Sequence, residues 1–177
     1  MKKTSIAAVN RIVKGTSNTY DVEGFWFKDN ETGKYGVTDK YCCVMYDCNT
    51  DLSEFAEDIA DGKYTHEGFE IDANRLFYPF DNQYHEWYSD EQMDSMLVKD
   101  IIEKSKAAKK NKGNDSQWYV MNDYGIRYNI ELMRNVCEAL DCKTVGIYYP
   151  FRPIGKEIYK PIVIIGDTGI GLVMPMR

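Results

Sequence analysis

Residues able to do acid–base chemistry are few in this chain of 177 residues, which contains only two histidines. His85 lies beside Glu86, with Asp81 four residues earlier. His66 directly precedes Glu67. Either group could form a proton-transfer pair, but no glycine-rich phosphate loop, nucleophile elbow or metal-ligand spacing accompanies them. We therefore expect a protein that is not an enzyme and that has no metal or cofactor site.

The cysteines are odd in number and match no zinc-binding pattern. They are Cys42, Cys43, Cys48, Cys137 and Cys142. Because the sequence starts without a convincing signal peptide, we expect reduced thiols that are mostly buried. No apolar stretch approaches the roughly 20 residues that a membrane-spanning helix needs. We expect a soluble, cytoplasmic protein without a membrane partner.

Positive charge is concentrated near the start of the chain, although the formal net charge is −6. The first twenty residues contain four cations and no carboxylate: Lys2, Lys3, Arg11 and Lys14. A helix over about 4–14 would separate a cationic face (Lys3, Asn10, Arg11, Lys14) from an apolar face (Ile6, Val9, Val13). Such a face is either a solvated surface or a contact surface for an anionic partner. A second basic cluster, at 104–112, is typical of a solvated helix end that runs into a loop.

The elements that would position these residues begin with strands after the first helix. Alternating, aromatic and β-branched residues predict strands within 20–29 and 34–47. Residues 50–64 fit either a short helix or a loop, 66–72 resemble another strand, and the aromatic residues of 76–88 predict a small satellite core. Ser89 and Gln92 form a capping box that predicts a helix to about Lys110.

The second half of the chain shows a similar order of elements. Residues 116–130 have strand character, and Asn129 is placed to cap a helix whose apolar stripe contains Met133, Val136, Cys137 and Leu140. Three strand-like runs follow, near 144–149, 161–165 and 171–176, separated by turns. We predict an α+β fold of two βαβββ halves, with the helices at 4–14 and 129–140 side by side on one face of antiparallel sheets. Residues 1–177 would form one domain, with an inserted helical segment at about 72–117 on the outside.

Two stretches of the second half resemble a known family. "RYNIELMRNVCEALDCKTVGIYY", which starts at Arg127, and the closing "KPIVIIGDTGIGLVMPMR" are similar to the last half-domain of the β sliding clamp, the processivity clamp of bacterial DNA polymerase III. The tail V-M-P-M-R is the most specific part, although the leucine that usually follows it is absent. The hairpin region around "VEGFWFKDNETGKYGVTDKYCCVMYD" is similar more weakly, and 72–117 has no counterpart.

The resemblance implies a DNA-clamp-like domain whose helices face duplex DNA. Clamp rings carry lysine and arginine on an inner helical wall, where these residues touch phosphates without reading bases. The residues at matching positions are Lys2, Lys3, Asn10, Arg11, Lys14 and Arg134. The resemblance therefore implies a role in DNA replication, as a processivity factor or a ring subunit.

The resemblance also implies a peptide-binding tail. In the family, the last strand and the tail line an apolar groove for short motifs of DNA polymerases and other clamp-binding proteins. The matching residues here are Leu172, Val173, Met174, Pro175, Met176 and Arg177. Methionines suit such a groove because they are flexible and polarizable.

The length of the chain is compatible with more than one oligomeric state. Clamp rings contain six such domains, so one domain per chain would need a homo-oligomer of six copies or a different arrangement. The alternative is a clamp-fold protein that never encircles DNA and acts as a peptide-binding adaptor, or as a decoy or inhibitor of another clamp. The cationic first helix favours the DNA-binding function, since an adaptor has no need of it.

Overall fold

A computed structural model describes residues 1–15, 24–29, 33–39, 41–60, 93–110, 118–121, 126–150 and 161–176. The described helices are α1 (Lys3–Val13), α2 (Ala56–Ala60), α3 (Val98–Lys110) and α4 (Ile130–Ala139), and a 3-10 turn spans Ser53–Phe55. The described strands are β1 (Phe25–Lys28), β2 (Tyr35–Thr38), β3 (Cys42–Tyr46), β4 (Met93–Leu97), β5 (Trp118–Met121), β6 (Ile126–Asn129), β7 (Thr144–Tyr148), β8 (Ile162–Gly166), β9 (Gly169–Val173) and β10 (Pro175–Met176).

The strands form a large and a small antiparallel sheet. The large sheet has seven strands in the order β1-β2-β3-β9-β8-β7-β4, and the small one has three in the order β10-β6-β5. Two three-stranded meanders, β1-β2-β3 and β7-β8-β9, therefore meet at the β3–β9 pair in the middle of the large sheet. Each meander follows a helix along the chain, α1 in the first case and α4 in the second. The α+β class predicted from the sequence is confirmed.

Three helices lie side by side on one face of the large sheet, with α4 between α1 and α3. We refer to α1, α4 and α3 as the helix layer. Ala8, Val9 and Ile12 of α1 are completely buried, as are Met133 and Val136 of α4. The predicted side-by-side placement of the first helix and the helix capped by Asn129 is confirmed.

Both faces of the middle of the large sheet bury apolar side chains, and β3 divides its residues between them. In β3, Cys42, Val44 and Tyr46 pack toward the helix layer. Cys43 and Met45 lie in a second buried cluster with residues of β1, β8 and β9. This alternation follows from the two-residue period of a strand. It explains why runs such as "CCVMY" are apolar throughout instead of alternating with polar residues.

Local contacts fix α4 at both ends. The Asn129 side chain caps its start, because Oδ1 accepts from the backbone N–H of Glu131 at 2.8 Å and of Leu132 at 3.3 Å. At its end, the Thr168 hydroxyl donates to the Leu140 carbonyl. Gly171 of β9 lets the helix approach the sheet closely, because a Cβ there would lie 2.1 Å from Val136 Cγ1.

Three predictions about elements are corrected. The helix expected from Ser89 begins at Val98, because residues 93–97 pair with β7 as strand β4. That helix, α3, packs beside α4 and buries Ile101, so it belongs to the helix layer and not to the outside. The expected strand at 171–176 is two strands, β9 in the large sheet and β10 in the small one.

The first half differs from the predicted βαβββ order. Among the described residues, strand β6 precedes α4, whereas α1 begins at Lys3 with no described strand before it. The ambiguous stretch at 50–64 contains the 3-10 turn and α2. The strand predicted at 66–72 and the aromatic cluster at 76–88 lie outside the described residues.

The thiols are expected to differ sharply in reactivity. Cys42, Cys43, Cys137 and Cys142 are buried, and burial raises the pKa of each of these thiols, so they stay protonated and shielded. Cys48 is exposed. A water-soluble disulfide reagent at pH 8 should label one thiol rapidly and the other four only after denaturation. The Cys48→Ser variant should lose the rapid phase, and a second rapidly labelled thiol would contradict the buried positions.

Candidate nucleic-acid interface

The exposed residues of α1 form a stripe along the helix. Lys3, Ala7, Asn10 and Lys14 face solvent, and their spacing places them on one side of an α-helix. The opposite side packs on the large sheet through Ala8, Val9 and Ile12. Lys3 and Lys14 form no ion pair within the described part of the chain, so their charges are available to a partner.

Asp141 anchors the start of α1. It follows α4 with a left-handed φ of 56°, a conformation that Asp tolerates better than most residues. Its carboxylate accepts from the Lys2 backbone N–H at 3.1 Å and from the Ser5 hydroxyl at 2.9 Å, and the Lys2 Nζ lies 2.9 Å from Oδ1. Because Lys2 gives α1 no side-chain cap, Asp141 supplies the negative charge that a helix start favours.

The pKa values of both partners follow from this interaction. Partial burial alone would raise the pKa of Asp141, but hydrogen bonds from Lys2 and Ser5 outweigh burial and hold its pKa below the usual range. The hydrogen bond and the charge of Asp141 raise the pKa of Lys2. Lys2 is therefore a fully charged residue that already has a carboxylate partner.

Arg11 bridges α1 to α4. Its Nε donates to Asn135 Oδ1 at 2.7 Å, and its Nη2 pairs with Glu138 Oε2. The Nε of Arg134 lies 3.4 Å from the same Glu138 oxygen. Glu138 thus lies between two guanidinium groups, and its side chain is only 9% exposed. Arg11 and Arg134 therefore share one carboxylate, which offsets one of their two positive charges.

The helix α3 adds cations on the other side of α4. Lys109 Nζ lies 2.6 Å from Glu131 Oε1, and this pair connects α3 to α4. Lys99, Lys106 and Lys110 are exposed and form no ion pair among the described residues. The basic cluster that the sequence favoured as a solvated helix end therefore lies partly on the helix layer. The lysine run in the sequence identifies this basic cluster. The place of the cluster on the helix layer depends on the packing of α3 beside α4.

The six residues predicted to bind DNA divide into two groups. Lys3, Asn10 and Lys14 are exposed on α1. Lys2, Arg11 and Arg134 lie where α1 meets α4 and face Asp141 or Glu138. All six lie in the helix layer or at its edge, but only the first group presents side chains without a carboxylate partner.

The residues predicted to bind a peptide are divided by burial. Leu172 and Val173 are buried, because β9 is an interior strand paired with both β3 and β8. The prediction that they bind a peptide is corrected, since neither presents a surface. Met174 is 36% exposed, and its backbone N–H donates to the Tyr41 carbonyl at 2.8 Å. Pro175 and Met176 form β10 opposite Tyr128 and Arg127, and Arg177 lies outside the described residues.

The remaining chemical candidates are the two histidines, metal-ligating clusters and a cavity. His66 and His85 lie outside the described residues. Within the described ranges, no group of three or more His, Cys, Asp and Glu side chains is placed to hold a metal ion. A cavity of about 530 Å³ lies beside α2, between the Lys34–Asp47 ion pair and Leu52. No described helix has the length and apolar character needed to cross a bilayer.

Comparison with known proteins gives no assignment. No protein-family model matches the chain, and neither a curated protein nor a solved structure matches it. The resemblance of the tail and of the helix before it to the sliding clamp therefore rests on the sequence stretches themselves.

Removal of the Asp141 charge should weaken the docking of α1. Asp141→Asn retains an oxygen acceptor and a residue that tolerates positive φ, so the missing charge dominates. We expect a decrease in the free energy of unfolding on the order of 1 kcal/mol at pH 7, as for removal of a helix cap. Urea denaturation of both proteins measures it.

The pH dependence has a definite sign. Because the pKa of Asp141 is lowered in the folded state, its contribution is complete above the unfolded-state pKa of about 3.9 and is lost as pH falls through the lower folded value. The difference between wild type and Asp141→Asn should be constant from pH 7 to about 5 and shrink below about 4. If the difference in the free energy of unfolding stays unchanged down to the lowest pH at which both proteins fold, the charge of Asp141 is not its origin.

Proposed function

We propose that this protein is a sliding-clamp-like subunit, a DNA polymerase processivity factor that holds duplex DNA against its helix layer without sequence preference. The observation that carries the proposal is the charge of that layer in an acidic protein. With Lys2 and Lys14 at its ends, α1 has four cations and no carboxylate, and α3 has five lysines against two carboxylates. Between them, α4 has Arg134 against Glu131 and Glu138, so the layer has ten cations and four carboxylates. The whole chain has a net charge of −6.

This segregation of charge suits binding to phosphates. Only the local field meets DNA, so an acidic protein can bind it through one cationic face. Exposed lysines on neighbouring helices can contact phosphate oxygens in many orientations. Such contacts give affinity without base recognition. Lys3 and Lys14, together with Lys106 and Lys110, are the cations best placed for this role.

The arrangement of the chain supports a clamp-like architecture of two halves. The second half has the complete order β6, α4, β7, β8 and β9, and the first has α1 followed by β1, β2 and β3. The strand that opens the second half lies in the small sheet. In the proposal, the two helix–meander units are the two halves and the pairing of α1 with α4 forms the DNA-facing surface.

Charge reversal on α1 should weaken DNA binding. In Lys3→Glu and Lys14→Glu, singly and combined, we expect weaker binding to a fluorescently labelled duplex of arbitrary sequence. The slope of log affinity against log salt should flatten by roughly 0.9 for each phosphate that the variant no longer neutralises. Fluorescence anisotropy across a salt series measures both quantities.

A matched control lies outside the helix layer, on the edge strand β1. Lys28 lies at the end of β1 with its Nζ over the Tyr35 ring, and Lys28→Glu changes net charge by the same amount as either single variant. It should leave the salt slope unchanged. Equal effects of Lys14→Glu and Lys28→Glu would mean that net charge alone, and not the helix layer, governs binding.

The proposed peptide site is the tail from Met174 onward. Met174→Ala should leave the melting temperature nearly unchanged, since the side chain is partly exposed. It should weaken binding of a clamp-binding peptide by about fivefold or more, the effect of losing about 1 kcal/mol at an interface. Leu172→Ala is the contrasting variant: it truncates a core residue and should cost about 2–5 kcal/mol of stability. Unchanged peptide affinity in Met174→Ala would remove the tail from the proposal.

The second candidate is a clamp-like adaptor or decoy that binds partner peptides and never encircles DNA. One observation favours it: Lys2, Arg11 and Arg134 of the predicted DNA-binding set already have carboxylate partners. Light scattering separates the candidates further, because a ring of single-domain subunits requires a homo-oligomer. A monomer at high concentration that also fails to bind duplex DNA would favour the adaptor.

A further inference from the structure

The interface between α1 and α4 contains more hydrogen-bond donors than acceptors. Glu138 is the one carboxylate between Arg11 and Arg134. The Arg134 Nε is buried with no hydrogen-bond partner, although it lies 3.4 Å from Glu138 Oε2. The Nδ2 of Asn135 is also buried without a partner, while Oδ1 of the same amide accepts from Arg11. Among the described residues, two guanidiniums thus share a single carboxylate, which leaves donors at this interface unused.

Such an arrangement is unusual, because buried polar atoms are almost always hydrogen-bonded. Asn135 is 1% exposed, so water does not replace the missing partner of its Nδ2. The charges do not balance either, since two cations face one anion. A group with three available oxygens would match this donor set better than a carboxylate does, and guanidinium forks bind phosphate oxygens in pairs.

The site is accessible from the solvent side of the helix layer. The side chains of Arg11 and Arg134 are 35% and 21% exposed. Arg11 lies next to Asn10 on the same helix as the exposed Lys3 and Lys14. Both arginine side chains are therefore partly accessible to a phosphate that approaches the lysines of α1.

We propose that Arg11 and Arg134 form a phosphate-binding site, and that Glu138 occupies it as an internal substitute for phosphate until nucleic acid binds. The proposal rests on the proposed DNA-binding function, which it extends by naming a site and its competitor. A backbone phosphate displaces the Glu138 carboxylate from the guanidiniums and satisfies the donors that the carboxylate leaves free. Glu138 thereby lowers the affinity of the free protein for nonspecific DNA and holds the two arginines in place.

The test is the isosteric variant Glu138→Gln, with Glu131→Gln as the matched control. Both remove one negative charge from α4, and Glu131 pairs with Lys109 instead of the arginines. Glu138→Gln should bind labelled duplex more tightly and with a steeper salt dependence. The slope should increase by between roughly 0.9 and 1.8, for one or both arginines binding a phosphate. Glu131→Gln should change the slope by less.

A double-variant cycle identifies the arginine dependence. In an Arg134→Gln background, the increase in affinity from Glu138→Gln should fall by half or more, since one of the released guanidiniums is absent. Equal increases in Glu138→Gln and Glu131→Gln, or an increase that survives Arg134→Gln in full, would overturn the proposal and leave general electrostatics as the explanation.

A second readout separates this inference from the proposed function. Pyrophosphate should raise the melting temperature of Glu138→Gln more than that of Glu131→Gln, whether or not either protein binds DNA. If wild type and Glu138→Gln both fail to bind duplex but pyrophosphate stabilises Glu138→Gln selectively, the phosphate site stands and the DNA-binding function fails. Suppose instead that wild type binds duplex, but Glu138→Gln neither binds duplex more tightly than wild type nor is stabilised by pyrophosphate. Then only the phosphate site fails.

Discussion

The packing of α1 against α4 is the interaction on which the rest of the structure depends, because it joins the first helix of the chain to the helix of its second half. Residues 2–11 hydrogen-bond to residues 135–141 across sequence separations of 124 to 139. Each of these helices also packs on the meander that follows it along the chain. Once α1 and α4 lie side by side, their meanders lie side by side too, and β3 pairs with β9 in the middle of the large sheet.

Apolar burial and charge have different roles in this packing. Fully burying a Val, Ile, Leu or Met side chain contributes about 1.5–3 kcal/mol, and Val9, Ile12, Met133 and Leu140 are all completely buried. The exposed pair of Lys109 and Glu131 contributes at most about 1 kcal/mol. The apolar residues therefore supply the stability, whereas Asp141, Glu138 and Glu131 set the alignment of α1 and α3 on α4. These carboxylates offset the charges of Lys2, Arg11 and Lys109, so a nucleic-acid partner would meet less positive charge on the helix layer.

The position of β9 in the large sheet determines which of the last described residues are accessible. Because β9 is bordered by β3 and β8, and both sheet faces bury side chains there, Leu172 and Val173 are held rigidly in the core. The chain leaves the large sheet at Met174 and joins β6 through β10. The described tail therefore becomes accessible at Met174, between the two sheets.

The sequence by itself determined the elements whose signals are local. The apolar period of α1, the cap at Asn129, the apolar run of β3 and the β-branched run of β8 identify helices and strands without reference to the rest of the chain. The cationic side of α1 follows from the same helical period. Tertiary structure decided everything that depends on a neighbour. Residues 93–97 became a strand because β7 offered a free edge, and Val173 became a core residue because β3 and β8 enclose it. The charge that remains free on the helix layer was also decided by tertiary structure, since Glu138 and Asp141 are separated from Arg11 and Lys2 by more than 120 residues in the sequence and meet them only in the folded protein.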